Sequence, residues 1–129
     1  QKDLALTCLT NPRMGLEGKW PEPAEAPTVQ ARKVLVVGAG PAGLEAAWVA
    51  AARGHAVTLW EKQAQVGGQL QFLAGMEKRR EFLGLLDYQQ RELERYGVSL
   101  VFGKCAVAVI AVKPIWLAVI QFVSLPFEV

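Results

Sequence analysis

The sequence predicts an α/β domain built on a doubly wound parallel sheet, present here in part. Three observations predict it. A short apolar run rich in β-branched residues, Val34–Val37, hands over to a glycine-rich turn at 38–43. A helical pattern follows that turn directly, and strand, helix and strand then alternate with short connections as far as Phe102.

Residues 1–31 read as irregular, because Pro12, Pro21, Pro23 and Pro27 each lack an amide proton and fix their own backbone angle. Within them, Glu22 to Gln30 reads as an exposed connector. The regular part begins at Lys33, and Val34-Leu35-Val36-Val37 suits a central parallel strand covered on both faces. A helix is expected from about Pro41 to Arg53: proline is tolerated in a first turn, Leu44, Trp48 and Ala51 recur at helical spacing, and Gly54 is a natural stop. The second strand, Ala56 to Trp60, ends at Glu61. A loop with Gly67-Gly68 leads to a longer helix from about Glu77 to Tyr96, closed by Gly97, with Phe82, Leu83, Leu86, Leu93 and Tyr96 on one side and Asp87 paired with Arg91 at i,i+4. Val98 to Phe102 is the third strand.

The division that results is an irregular segment 1–31, a β-α-β-α-β unit at 32–104 and an apolar tail at 105–129. In the tail, the runs Cys105–Val112 and Ile115–Leu125 are split by Lys113-Pro114, and neither reaches the roughly 20 residues that a bilayer span needs. A buried or misfolded segment, or a non-native sequence beyond about Gly103 such as a shifted reading frame, is preferred to a membrane span. No internal repeat or low-complexity tract is present.

With 129 residues there is room for one domain, and a net charge of +2 gives no reason to expect nucleic acid or an anionic membrane as partner. Two distant cysteines, Cys8 and Cys105, do not suggest a disulfide framework. The start, Gln1-Lys2-Asp3, lacks both a first Met and the apolar core of a signal peptide, and reads as a piece of a longer cytoplasmic protein.

The chemistry is concentrated in Gly38-Ala39-Gly40-Pro41-Ala42-Gly43. A Gly-x-Gly-x-x-Gly spacing is weak alone, but here it follows a strand and opens a helix, which is the Rossmann dinucleotide-binding context. Gly38 permits the sharp turn, Gly40 lets a pyrophosphate approach the backbone, and Gly43 permits close packing of helix on sheet. The open amides and positive end of the helix then attract phosphate. Glu61, eighteen positions after Gly43, is placed to accept from both hydroxyls of an adenosine ribose and to repel a 2′-phosphate, an exclusion that Lys62 weakens. Gly67-Gly68-Gln69-Leu70 favours FAD over NAD, since a glycine pair there lets the backbone approach the pyrophosphate or ribityl portion. No nucleophile–base pair and no metal-spaced cluster is found; His55 and Cys105 receive no role.

These residues carry a family resemblance. Val34 to Ala47, then Gly54-His55-Ala56-Val57-Thr58-Leu59-Trp60-Glu61, Gly67-Gly68-Gln69-Leu70 and Tyr96-Gly97-Val98, resemble the FAD-binding region of the NADH:flavin oxidoreductases that carry an iron–sulfur cluster, such as 2,4-dienoyl-CoA reductase and trimethylamine dehydrogenase. Cys8-Leu9-Thr10-Asn11-Pro12, with Gly15-Leu16-Glu17 and Trp20, resembles the segment that holds the last cysteine ligand of their [4Fe–4S] cluster. The resemblance covers roughly residues 4 to 103. It implies an oxidoreductase that passes electrons between a nicotinamide cofactor, FAD, a [4Fe–4S] cluster and FMN in the intact enzyme, with an FMN barrel and an NAD(P)H domain as partners of this part and Cys8 as a metal ligand. It also implies binding by residues 38–43, Glu61, Lys62 and 67–69, filled by FAD or, in some relatives, ADP.

The chain departs from that pattern where the barrel, the three earlier cysteines, a second glycine fingerprint and the returning strand would stand. No residue here is expected to perform substrate chemistry, and this chain alone is expected to be inactive. The alternatives are a module that binds ADP or NAD without redox activity of its own, a plain NAD-dependent dehydrogenase, and a membrane-anchored protein.

Overall fold

Parallel pairing organises the chain. A computed structural model describes residues 8, 10–74, 76 and 81–105. The tail beyond Cys105, the expected helix start at 77–80, and Leu9 lie outside these. Strands β1 (Lys33–Val37), β2 (Ala56–Glu61) and β3 (Ser99–Phe102) form one parallel sheet in the order β1-β2-β3. The register sets Val36 opposite Leu59 and Leu59 opposite Leu100, so one apolar row crosses all three strands. Val34 and Val57 form a second row on the same face.

Two helices cover that face. Helix α1 (Pro41–Ala52) is rich in alanine, a strong helix former, and its small side chains let neighbours approach on more than one side. Helix α3 (Glu81–Arg95) packs against it. Leu44, Leu59 and Val36 are the largest fully buried side chains. Each such burial contributes about 1.5–3 kcal/mol. A short helix α2 (Leu70–Ala74) occupies part of the stretch expected to be a loop.

Three expectations need correction. Among the described residues β1 pairs with β2 alone, so it is an outer strand here rather than a central one. Only Leu35 and Val36 of its run are buried. On α3 the buried positions are Phe82, Leu86, Gln89 and Leu93, whereas Leu83 is 42% exposed. Leu83 lies about 100° round the helix from Phe82 and leaves the buried stripe, which Gln89 continues. The i,i+4 contact of Arg91 runs from its Nε to the backbone carbonyl of Asp87 at 3.2 Å.

The proline-rich connector is tied to α1. It includes a 3-10 turn, Pro23–Glu25, in which Pro23 is buried. Arg53 Nε donates to the Ala26 carbonyl at 3.1 Å, and the Thr28 amide donates to the Arg53 carbonyl at 2.7 Å. Helix α1 ends there because Gly54 takes a φ of 97°, open to glycine and costly for other residues. Among the described residues no helix is long and apolar enough to cross a membrane.

Candidate functional site

The site is the junction of β1 and α1, together with the two loops that meet it. Gly38 leaves β1 with a φ of 98°, and its amide extends the sheet ladder by donating to the Trp60 carbonyl at 2.7 Å. Gly40 is the residue before α1, and no side chain caps the helix there. At this end of the helix the Leu44 amide donates to the Gly40 carbonyl at 2.9 Å. Pro41 has no amide proton, and the amides of Ala42 and Gly43 precede any intrahelical acceptor. The helix therefore begins with open donors at its positive end.

The three glycines have different reasons to be glycine. A Cβ on Gly43 would lie 1.9 Å from the Gly38 carbonyl oxygen and 3.0 Å from its carbon. Gly43 thus presses against the backbone of the turn itself. Gly38 needs its left-handed backbone. Gly40, with φ −71° and ψ 173°, needs neither, and a Cβ there would meet nothing within 4 Å. The space over Gly40 is open, and among the described residues no neighbour of such a Cβ accounts for a glycine at this position.

Ala39 joins three segments at this point. Its amide donates to Glu61 Oε2 at 2.6 Å, and its carbonyl accepts from the Gly67 amide at 2.7 Å. Glu61, at the end of β2, is 7% exposed, and its Oε1 accepts from the Gln63 amide at 2.8 Å. Each carboxylate oxygen thus holds one backbone donor and keeps further acceptor capacity. The acid points at the glycine turn rather than away from it.

The second glycine loop lies directly on the first. Gly68 has a φ of 51°, and a Cβ on it would approach the Gly40 Cα to 3.4 Å. Gly67 has a φ of 105°, and a Cβ there would lie 2.8 Å from Leu86 Cδ1. Gln71, which the sequence reading did not single out, ties this loop down: its side-chain amide donates to the Val66 carbonyl and accepts from Gln65. Gln69 and Lys62 are exposed beside the two loops.

The other residues considered lie elsewhere. His55 Nδ1 accepts from the Arg32 amide at 3.2 Å, in the turn before β2. The Cys8 thiol lies 3.3 Å from the Thr10 hydroxyl. That hydroxyl, followed by the backbone at Thr10 and Asn11, holds the thiol below its ordinary value. Among the described residues no three His, Cys, Asp or Glu side chains come together as a metal site. One thiol does not fit a four-iron cluster, which takes four.

A buried polar contact between the helices was also not anticipated. Gln89, on α3, is 2% exposed, and its Nε2 donates to the Pro41 carbonyl at 3.0 Å and to Glu45 Oε2 at 2.9 Å. The same Glu45 oxygen accepts from Trp48 Nε1 at 2.8 Å. The one hint in the sequence is the position of Gln89 in the stripe of Phe82, Leu86 and Leu93.

The NAD(P)-binding Rossmann-like domain family matches residues 36–74, the stretch that holds both glycine loops and Glu61. The chain is 41% identical over 105 residues to an NADH oxidase of Thermoanaerobacter brockii, an alignment covering 81% of this chain and 16% of that protein. It is 44% identical over 97 residues to a metal reductase of Desulforamulus reducens, covering 75% of this chain and 14% of the relative. Among solved structures, a 2-naphthoyl-CoA reductase in complex with 2-naphthoyl-CoA superposes with a TM-score of 0.70 at 36% identity, over 77% of this chain and 15% of that one. The chain thus spans about one-sixth of the length of the curated relatives it matches.

Proposed function

Since this chain belongs to the iron–sulfur NADH:flavin oxidoreductases, as the counterpart of one Rossmann-like segment of those enzymes, we propose that it is the part that binds FAD. The observation that carries the reading is the open space over Gly40, bounded by uncapped helix amides, by Gly68 and by the turn to which Glu61 is bonded. A diphosphate fits there on three counts. Ala42 and Gly43 present donors, the helix dipole favours negative charge, and Gly40 leaves the backbone bare. The Glu61 carboxylate, fixed by the Ala39 and Gln63 amides, is left to accept from ribose hydroxyls, and its charge opposes a 2′-phosphate.

The second glycine loop favours FAD over a smaller nucleotide. Its backbone lies against Gly40, so that glycine backbone continues past the turn for a longer dinucleotide. When bound, FAD supplies the exchange between a two-electron hydride and single electrons. This chain's residues bind and orient it: Gly38, Gly40 and Gly43 shape the turn, Ala39 fixes the acid, and Gly67-Gly68 flank the diphosphate. The wider route, from a nicotinamide cofactor through FAD to a [4Fe–4S] cluster and FMN, belongs to the intact enzyme.

Titration of the 129-residue chain with FAD, ADP and NADP⁺, followed by calorimetry, tests the reading. FAD and ADP are expected to bind, with NADP⁺ at least about tenfold weaker because of Glu61. Binding of ADP with no gain from the flavin half points to a nucleotide module without redox work. Binding of none of the three overturns the reading.

A further inference from the structure

Helix α3 reaches across to the start of α1 through Gln89. Gln89 is 2% exposed, and both acceptors of its amide lie in the first turn and a half of α1: the Pro41 carbonyl at 3.0 Å and Glu45 Oε2 at 2.9 Å. These bonds come at a cost. Gln89 Oε1 is buried and has no hydrogen-bond partner among the described residues. A buried unpaired carbonyl is destabilising, and an apolar side chain of similar size, like Leu86 and Leu93 in the same stripe, avoids it. Turning the amide over gives no relief, because it would set oxygen against the Pro41 and Glu45 oxygens. The position is therefore poorly explained as core and well explained by its two donated bonds.

Both bonds act on the turn whose amides face the open space over Gly40. Pro41 immediately follows Gly40, and the Gly40 carbonyl starts the helical ladder. Glu45 carries a negative charge one turn behind the place proposed for a diphosphate. Trp48 Nε1 and Gln89 Nε2 both donate to its Oε2, which fixes that charge on the α3 side of the helix.

We propose that Gln89 is a positioning residue for the nucleotide: from α3 it sets the first turn of α1 through the Pro41 carbonyl and the Glu45 carboxylate. The proposal rests on the reading of this junction as the nucleotide site. Loss of the two bonds leaves the turn free to shift by tenths of an ångström, enough to misalign the Ala42 and Gly43 amides.

The test compares Gln89→Leu with Leu93→Ala in the full 129-residue chain, using ADP and FAD as probes. Leu93→Ala opens a cavity one turn along the same helix and removes neither of the bonds that Gln89 makes to Pro41 and Glu45, so it controls for lost stability. Gln89→Leu is expected to weaken ADP about tenfold, while Leu93→Ala leaves ADP affinity unchanged under conditions where both remain folded. Exchange of the Leu44 amide, the first bonded donor of α1, is expected to quicken in Gln89→Leu and not in Leu93→Ala. Equal affinities for the two variants, or unchanged exchange in Gln89→Leu, overturn the proposal and leave the nucleotide site standing. Failure of the unsubstituted chain to bind either ligand overturns both.

Discussion

Gly43 and Gly38 face each other so closely that a methyl group on the first would overlap the carbonyl oxygen of the second at 1.9 Å. Backbone lies on both sides of that contact, so no flexible side chain can move aside. Gly38 is already committed to a φ of 98° and to its bond with Trp60. Gly43→Ala is therefore expected to cost about 3 kcal/mol, read as a lower urea midpoint, because β1 and α1 must part for the methyl to fit.

Gly40→Ala is expected to do the opposite. The backbone at Gly40 suits any residue, and an added Cβ meets nothing within 4 Å. Stability should change by no more than about 0.5 kcal/mol. Nucleotide affinity, measured on the same sample, should fall at least about tenfold, because the methyl would stand where a diphosphate approaches. An alanine variant with undiminished affinity would show that the open space is not the phosphate site.

The contrast between these two glycines marks how far the sequence could be read. The motif located the junction, and the apolar runs located β1, β2 and β3, because strand and helix periods and glycine turns are local properties. The motif does not reveal that Gly43 is constrained by the turn's own backbone while a Cβ on Gly40 would meet nothing within 4 Å. Gln89 escaped notice for a related reason: its partners Pro41 and Glu45 are more than forty positions away. A glutamine in an apolar stripe shows its purpose only when the facing helix is in place. The connector reads as exposed and is so at most positions, but Pro23 is buried and Arg53 binds the connector to α1 through backbone carbonyls that no residue pattern encodes. The composition of β1 suits a central place, but composition does not say which neighbours the sheet contains.

Tyr88 gives an expectation at alkaline pH. Its ring meets Trp48 edge-on, with centroids 6.1 Å apart. Partial burial, followed by the charges of Glu92, Glu45 and Glu22, raises its phenol above the ordinary value, against a smaller opposing effect from Arg13. A raised folded value means that the neutral phenol is favoured by the fold. The stability this supplies is complete below the unfolded value of about 10 and is lost as pH rises through the higher folded value. With 41% of the residue exposed, the effect is small. The urea midpoint of the unsubstituted chain should decline above about pH 10, more steeply than that of Tyr88→Phe. Parallel declines would assign the loss to other groups.

Glu61 has two duties that one substitution can separate. It holds the glycine turn, through the Ala39 amide at 2.6 Å, and it is proposed to hold ribose. Glu61→Gln keeps one oxygen for Ala39 but sets an amide NH₂ against either the Ala39 or the Gln63 donor, so the fold should lose about 1–2 kcal/mol. If the remaining acceptor capacity of the carboxylate serves ribose, ADP should weaken about tenfold while 2′-deoxy-ADP changes less, because the deoxy ligand has already lost one of the two hydroxyls. Equal losses for the two ligands would mean that Glu61 acts only by shaping the turn, through Ala39, and that the sugar is held by other groups.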